Sequence, residues 1–113
     1  MHLKNFSLRE TESGNRSYCL SCAYDMLPVN IIIPEDEEQL ALTLNGKKRN
    51  IHKKDFRLFA QQCALPEKSV ERMMNKLCLL EDKFLNQCED AYFPQELREK
   101  TKTLIKERIK QLL

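Results

Sequence analysis

The sequence predicts an α+β fold that is mostly helical, in which a short β-hairpin and one strand are followed by three helices. Apolar and polar residues alternate on both sides of a turn near the N-terminus, and again over 40–44 before a turn at Asn45-Gly46. Apolar residues then recur at helical spacing over the second half of the chain. With 113 residues the chain has the size of one small domain, or of a piece of a larger one. We therefore expect a single domain over 1–113, with a hairpin segment, 1–51, and a helical part, 52–113.

The predicted hairpin occupies residues 6–21. Its turn chemistry is supplied by a polar stretch around Ser13-Gly14. If the turn is centred on these two residues, the numbers of opposed residues add up to about 27, which places Asn5 across from Cys22. Asp25 follows only a few residues later. The hairpin is therefore expected to bring Asn5 and Asp25 to the same end of a two-stranded ribbon.

Three helices are predicted after the β part. The first carries apolar residues on one face over 56–64 and has Asp55 in its first turn, where a negative charge suits the helix dipole. The second is predicted to open at Pro66, a residue favoured in the first turn, and to run as one long helix to Cys88. Pro94 opens the third, whose apolar side continues to the C-terminal end of the chain.

Composition and charge exclude several classes of function. The 19 basic and 17 acidic side chains leave a net charge of +2, so direct binding of nucleic acid, which favours a strongly basic face, is not expected. The sequence holds no apolar run long enough to cross a bilayer and does not begin with a signal peptide. Five scattered cysteines form an odd number, unlike a secreted disulfide scaffold. We expect a cytoplasmic protein with reduced thiols.

Two further patterns have alternative interpretations. Cys19 and Cys22 have the spacing of half a zinc site or of a redox pair, but no second ligand pair accompanies them, and ordinary thiols are favoured. The basic residues between Lys47 and Arg57 could contact phosphates, but neither interleaved aromatic residues nor a DNA-binding motif accompanies them. A solvated surface is the favoured interpretation of this basic run.

The spacing of His2, Asn5 and Asp25 indicates a metal site. Magnesium prefers oxygen ligands in octahedral geometry, usually from one or two protein groups together with phosphates and water. In kinase-like sites these protein groups are an Asn on the catalytic loop and an Asp shortly after it. Asn5 and Asp25 fit both roles in type, order and spacing. The alternative is that Asn5 caps a turn and Asp25 starts another before Pro28.

A wider set of motifs is similar to a known family. The matching stretches are His2-Leu3-Lys4-Asn5-Phe6-Ser7-Leu8, Tyr18-Cys19-Leu20-Ser21-Cys22-Ala23-Tyr24-Asp25-Met26-Leu27-Pro28, Leu40-Ala41-Leu42-Thr43-Leu44-Asn45-Gly46-Lys47-Lys48 and Lys54-Asp55-Phe56. Together they resemble the core of the HipA-like serine/threonine kinases, over roughly residues 2–65, while the later helices match only in general pattern. HipA-like proteins are toxins of toxin–antitoxin pairs, have a kinase-like fold and usually bind a DNA-binding antitoxin. The resemblance implies the C-terminal lobe of such a kinase.

The resemblance also implies roles for individual residues. The family loop reads D-x-H-x-x-N, in which the Asp is the catalytic base. Asn5 and Asp25 match the magnesium ligands, and His2 matches the loop histidine, which supports the shape of the loop. Met1 falls at the x, so the base would occupy the position just before this chain. Cys22 departs from the Pro that the family often has there, which is expected to loosen the turn before Asp25.

The resemblance implies Mg²⁺ and ATP as cofactors, but a part of the kinase machinery is missing from this sequence. A kinase covers the ATP phosphates with a Gly-rich loop, and Gly14 and Gly46 are too few and too far apart to form one. We therefore expect weak or absent magnesium and ATP binding and no kinase activity from this chain alone. The alternative is a stand-alone interaction module that binds a protein partner, either an antitoxin or the missing kinase lobe. Both interpretations imply an exposed apolar surface and a tendency to self-associate.

Overall fold

The computed structural model describes residues 3–26 and 28–113. Within these residues the chain forms a 3-10 turn, two strands and five α-helices. In chain order they are the 3-10 turn Leu3–Asn5, β1 Leu8–Glu10, β2 Tyr18–Leu20, α1 Val29–Ile32, α2 Lys53–Gln62, α3 Glu67–Cys78, α4 Glu81–Asp90 and α5 Gln95–Leu112. Helices account for about half of the chain, and the prediction of a mostly helical α+β fold is confirmed.

Strands β1 and β2 form the predicted antiparallel hairpin, with a register that differs from the prediction by one residue. Leu8 pairs with Leu20, so that Asn5 would lie opposite Ala23 and not Cys22. The cause is the loop, which is centred on Gly14 itself. Gly14 has a φ of 83°, a backbone conformation that glycine adopts without steric cost and that lets the chain reverse there.

The predicted strand at 40–44 is wrong, whereas the turn after it is confirmed. The backbone N–H of Leu44 donates to the carbonyl of Lys47 at 2.8 Å, and the N–H of Lys47 donates back at 3.0 Å. Between them Asn45 and Gly46 both have positive φ, 51° and 73°, as a tight two-residue turn requires. In the described part of the chain no second strand pairs with the alternating leucines, and the N–H of Leu40 donates instead to the carbonyl of Lys48.

The single long helix predicted over 66–88 is divided into α3 and α4. The break lies at Leu79 and Leu80, where the N–H of Leu80 bonds to a carbonyl only three residues earlier in the chain. Glu81 and Asp82 then occupy the first turn of α4, a position that favours acidic side chains and a new helix start. The apolar spacing continues across the break, and therefore the sequence alone gave no signal for it.

The main buried cluster joins the helices of the C-terminal half. Ala60 of α2 packs with Val70 and Met74 of α3, and the partly buried Phe56 and Leu112 complete the cluster from α2 and α5. Helix α4 packs along α5 in turn, and α1 also contacts α5. Among the described residues no helix is both long and apolar enough to cross a membrane.

Candidate functional site

The hairpin brings two of the three predicted site residues together. Asn5 ends the 3-10 turn just before β1, and Asp25 lies in the segment after β2. The N–H of Tyr24 donates to the carbonyl oxygen of Asn5 at 3.0 Å, which joins the two segments at the base of the ribbon. The third predicted residue, His2, lies outside the described residues.

The side chain of Asn5 fixes the segment that carries Asp25. Asn5 is only 5% exposed, and its Nδ2 donates to the carbonyl oxygens of Tyr24 and Asp25, both at 3.0 Å. A buried amide is costly unless it is hydrogen-bonded, and these two bonds satisfy both hydrogens of the amide group. One side chain therefore sets the position of residues 24 and 25 relative to the start of the hairpin.

Asp25 is held in an uncommon backbone conformation. Its φ is 53°, in the left-handed region, which Asp and Asn tolerate better than most residues. Its side chain is exposed, whereas Asn5 is buried beside it. Such conformations cost free energy and often occur at functional sites, where the surrounding structure enforces them. Here the two hydrogen bonds from Asn5 supply a part of that enforcement.

The donor atoms of Asn5 and Asp25 fit magnesium. An amide oxygen and a carboxylate are hard oxygen ligands, the kind that this ion prefers. An amide side chain coordinates a metal through its oxygen, so Oδ1 is the atom of Asn5 to which this chemistry applies. No group of three or more His, Cys, Asp or Glu residues that could hold a metal occurs in the described part of the chain. Any magnesium ion at this position would need water or phosphate to complete its coordination.

Hydrogen bonds between Ser7 and Ser21 extend the pairing of the hairpin towards this site. The N–H of Ser21 donates to the carbonyl of Ser7 at 2.8 Å, and the N–H of Ser7 donates to Oγ of Ser21 at 3.0 Å. The hydroxyl of Ser21 donates in turn to the carbonyl of Cys22 at 2.9 Å. The segment in which Cys22 stands is therefore tied to the ribbon by a side chain, a role that the sequence pattern did not reveal.

A second polar cluster, centred on Asp55, was only partly predicted. Asp55 lies in the first turn of α2, as expected, but its side chain is 2% exposed and its Oδ1 lies 2.8 Å from Nζ of Lys47. The backbone N–H of His52 donates to Oδ2 at 3.0 Å, and Nδ2 of Asn45 donates to the carbonyl oxygen of Asp55 at 2.8 Å. The hydrogen bond from Lys47, followed by that from His52, lowers the pKa of Asp55. This cluster joins the 45–46 turn to the start of α2.

The basic run between Lys47 and Arg57 is largely paired with acids of the same chain. The ion pairs are Lys47–Asp55, Lys48–Glu38 at 3.0 Å, Arg49–Glu37 at 2.7 Å, Lys53–Glu71 at 3.6 Å and Arg57–Glu71 at 2.6 Å. The guanidinium of Arg57 is the main reason why the pKa of Glu71 is lowered. These pairs anchor the loop before α2 and link α2 to α3. Most positive charges of the run are therefore balanced by acidic side chains of the same chain.

The cysteines show no arrangement that would support a zinc or redox site in the described residues. All five thiols are free. Cys19 is half-buried on β2, opposite Arg9, and Cys22 is exposed beyond the strand. The pair does not lie at the start of a helix, which is where a redox Cys-x-x-Cys motif would be expected.

The fold and the site together define a mostly helical α+β domain in which a hairpin carries an Asn–Asp pair. Comparison with protein families agrees with this description: the model of the HipA-like C-terminal domain matches residues 1–83. The match includes the hairpin, both candidate magnesium ligands, α2 and α3, and it covers well over half of the chain. The chain therefore belongs to the HipA-like C-terminal domain family. No protein in a search of curated proteins matched the chain.

Proposed function

We propose that this chain is the magnesium-binding portion of a HipA-like serine/threonine kinase and that it does not transfer phosphate by itself. Asn5 and Asp25 are the proposed metal ligands, and His2 is proposed to support the loop that presents Asn5. The observation that carries the proposal is the buried Asn5 side chain, which bonds to the carbonyls of Tyr24 and Asp25 at 3.0 Å. These bonds hold the two proposed ligands in one small region.

The proposed inactivity follows from what the sequence lacks. In a kinase, magnesium neutralises charge on the ATP phosphates, a Gly-rich loop covers them, and a catalytic Asp accepts the proton of the substrate hydroxyl. Gly14 and Gly46 are the only glycines of this sequence and lie too far apart to form such a loop. Most ligands of a kinase magnesium ion are phosphate or water. Binding of Mg²⁺ and ATP by the chain alone is therefore expected to be weak.

Titration of the isotopically labelled chain with Mg²⁺, first alone and then with ATP, tests this assignment by NMR. The amide signals of Asn5 and Asp25 should shift together, and Asp25→Asn should abolish the magnesium-dependent part of the shift. Asp90→Asn is the matched control, because Asp90 is an exposed carboxylate at the end of α4 that forms no ion pair with the described residues. Equal responses of the two variants would contradict the metal assignment. Phosphate transfer from ATP by the purified chain would contradict the inactivity.

A second candidate function is a protein-interaction module, and the hairpin supplies the observation in its favour. Leu8, Tyr18 and Leu20 are 71%, 59% and 63% exposed, and their positions in the register place them on one face of the ribbon. A two-stranded hairpin is marginally stable alone in water, and an apolar face of this kind is suited to contact with another protein. The partner would be an antitoxin or the remaining kinase lobe, and in its absence a second copy of the chain. The five free thiols fit a reducing compartment such as the cytoplasm.

Analytical ultracentrifugation tests this candidate. If the hairpin face mediates association, the chain should form dimers or larger species with increasing concentration, and the double variant Leu8→Ser and Leu20→Ser should remain monomeric. Leu79→Ser with Leu113→Ser is the matched control, since these leucines are 84% and 77% exposed elsewhere on the surface. A loss of association in the control pair, with none in the hairpin pair, would place the contact on another face.

A further inference from the structure

Three cations lie on one side of α3, outside the ion pairs of the described residues. Lys68, Arg72 and Lys76 are exposed and follow one another at intervals of four residues. At the rise of an α-helix this spacing repeats a positive charge about every 6 Å along one side of α3. None of the three forms an ion pair with a residue in the described part of the chain, where nine other pairings are present. We refer to these three residues as the basic stripe.

Acidic residues close to the basic stripe do not neutralise it. Glu71 lies on the same helix, but its carboxylate is shared by Arg57 at 2.6 Å and Lys53 at 3.6 Å from α2. Glu67, in the first turn of α3, forms no ion pair with the stripe. Two lysines of α5 show the contrast, because Lys100 is bound by Glu96, and Lys102 by Glu89 and Glu99. The stripe therefore retains its charge for an external group.

An apolar row accompanies the basic stripe. Val70 and Met74 face the core of the domain, with exposures of 6% and 8%. Met73 and Leu77, one turn apart on the flank between the core side and the stripe, are 55% and 42% exposed. The outer side of α3 thus presents a row of cations beside a row of apolar side chains, the pattern of a helix that pairs with an amphipathic partner.

We propose that the outer side of α3 docks an acidic amphipathic helix of a partner protein. Glutamates four residues apart on such a helix repeat at the same interval of about 6 Å as the cations of the basic stripe. The apolar residues of the partner helix would cover Met73 and Leu77. Charge complementarity of this kind mainly raises the association rate and the specificity. A nucleic acid fits less well, because α3 contains no aromatic residue for base stacking and a phosphate backbone would leave the apolar row in water. The inference does not depend on the magnesium site.

The binding test uses a fluorescently labelled synthetic helix with Glu at every fourth position and Leu on the adjacent face, followed by fluorescence anisotropy at low salt. The triple variant Lys68→Gln, Arg72→Gln and Lys76→Gln should bind this peptide about tenfold more weakly than the unmodified chain, as expected when three exposed ion pairs are lost. The control is Lys83→Gln, Lys106→Gln and Lys110→Gln, which removes the same charge from exposed positions outside the ion pairs and should change affinity little. Circular dichroism verifies that both variants are folded.

Several outcomes would overturn the docking proposal. An equal loss of affinity in the two triple variants would show that only net charge matters. If a peptide of the same composition in scrambled order bound equally well, the four-residue spacing of its glutamates would not be the basis of recognition. Tighter binding of a short DNA duplex or of vesicles rich in anionic lipid would assign the stripe to another class of partner. The double variant Met73→Ser and Leu77→Ser should support the proposal by binding the peptide more weakly. The fall in affinity with added salt should be the same for this variant as for the unmodified chain.

Discussion

The ammonium group of Lys47 lies 2.8 Å from Oδ1 of Asp55, the most completely buried charged side chain among the described residues. The other carboxylate oxygen accepts the backbone N–H of His52 at 3.0 Å. A buried charge is tolerated only when it is paired and hydrogen-bonded, and Asp55 meets both conditions. The pair connects a tight turn to the first turn of α2, a helix that contributes to the main core.

Removal of either partner of this pair should destabilise the domain. We expect Asp55→Ala to lower the melting temperature by several degrees, because the N–H of His52 and the ammonium of Lys47 both lose their acceptor. Lys47→Met should also lower it, since the buried carboxylate would remain without its cation. Thermal denaturation followed by circular dichroism measures both effects. Lys48→Met is the control: its ion pair with Glu38 is solvent-exposed, so a loss as large as that of Lys47→Met would refute the special role of the buried pair.

The same pair predicts a specific dependence of stability on pH. The hydrogen bond from Lys47 keeps the pKa of Asp55 in the folded state below its ordinary value of about 3.9 in the unfolded chain. The stabilisation is therefore fully present above the unfolded-state pKa and is lost as pH falls through the lower folded-state pKa. We expect the melting temperature of the unmodified chain to fall more steeply with acidification, in the region below about pH 4, than that of Asp55→Asn.

The comparison between variants is needed because other carboxyl groups also titrate there. The pKa of Glu71 is lowered mainly by Arg57, and the pKa of Glu89 is lowered mainly by Lys102. The decisive quantity is therefore the difference between the unmodified chain and Asp55→Asn as pH is lowered. Asp90→Asn, which removes an exposed carboxylate outside the ion pairs of the described residues, is the control variant. Parallel acid profiles for the unmodified chain and Asp55→Asn would rule out the contribution of Asp55.

The Asn5 side chain should contribute to stability as well as to the proposed metal site. Asn5→Ala removes two hydrogen bonds of 3.0 Å and leaves the carbonyls of Tyr24 and Asp25 without that donor. We expect a loss of about 1–3 kcal/mol in the free energy of unfolding, measured by urea denaturation, and faster hydrogen exchange at the amide of Tyr24. Asn86→Ala, at an exposed position of α4, should change the free energy of unfolding by less than about 0.5 kcal/mol. An effect of Asn5→Ala as small as that of Asn86→Ala would refute the anchoring role.

The features that the sequence predicted correctly depend on local patterns. The hairpin and the helical faces follow from the period of apolar residues, and the Asn45-Gly46 turn follows from residue types that accept positive φ. The prediction of a strand at 40–44 was wrong because alternating apolar and polar residues form a strand only where a second strand is available for pairing. The break at Leu79 was missed because the apolar period continues through it, and only backbone hydrogen bonds show where one helix ends.

For the candidate site, the proximity of Asn5 and Asp25 was predictable, but the contacts that create it were not. A hairpin places residues on its two sides near one another whatever their type, so the prediction survived a register error of one residue. The bonds from Nδ2 of Asn5 to two carbonyls depend on the conformation of residues 24 and 25, which no periodicity encodes. Likewise the Lys47–Asp55 pair spans a loop, and its burial follows from tertiary packing.

Two adjacent methionines provide a final prediction about the core. Met74 is 8% exposed and packs with Ala60 and Val70, whereas Met73 is 55% exposed on the outer flank of α3. Met74→Ala should therefore leave a cavity and lower the free energy of unfolding by about 2–5 kcal/mol. Met73→Ala should change it by less than about 0.5 kcal/mol, because the side chain is largely in water and alanine favours the helix. Urea denaturation of both variants decides the matter: comparable losses would show that α3 is rotated relative to the packing described above.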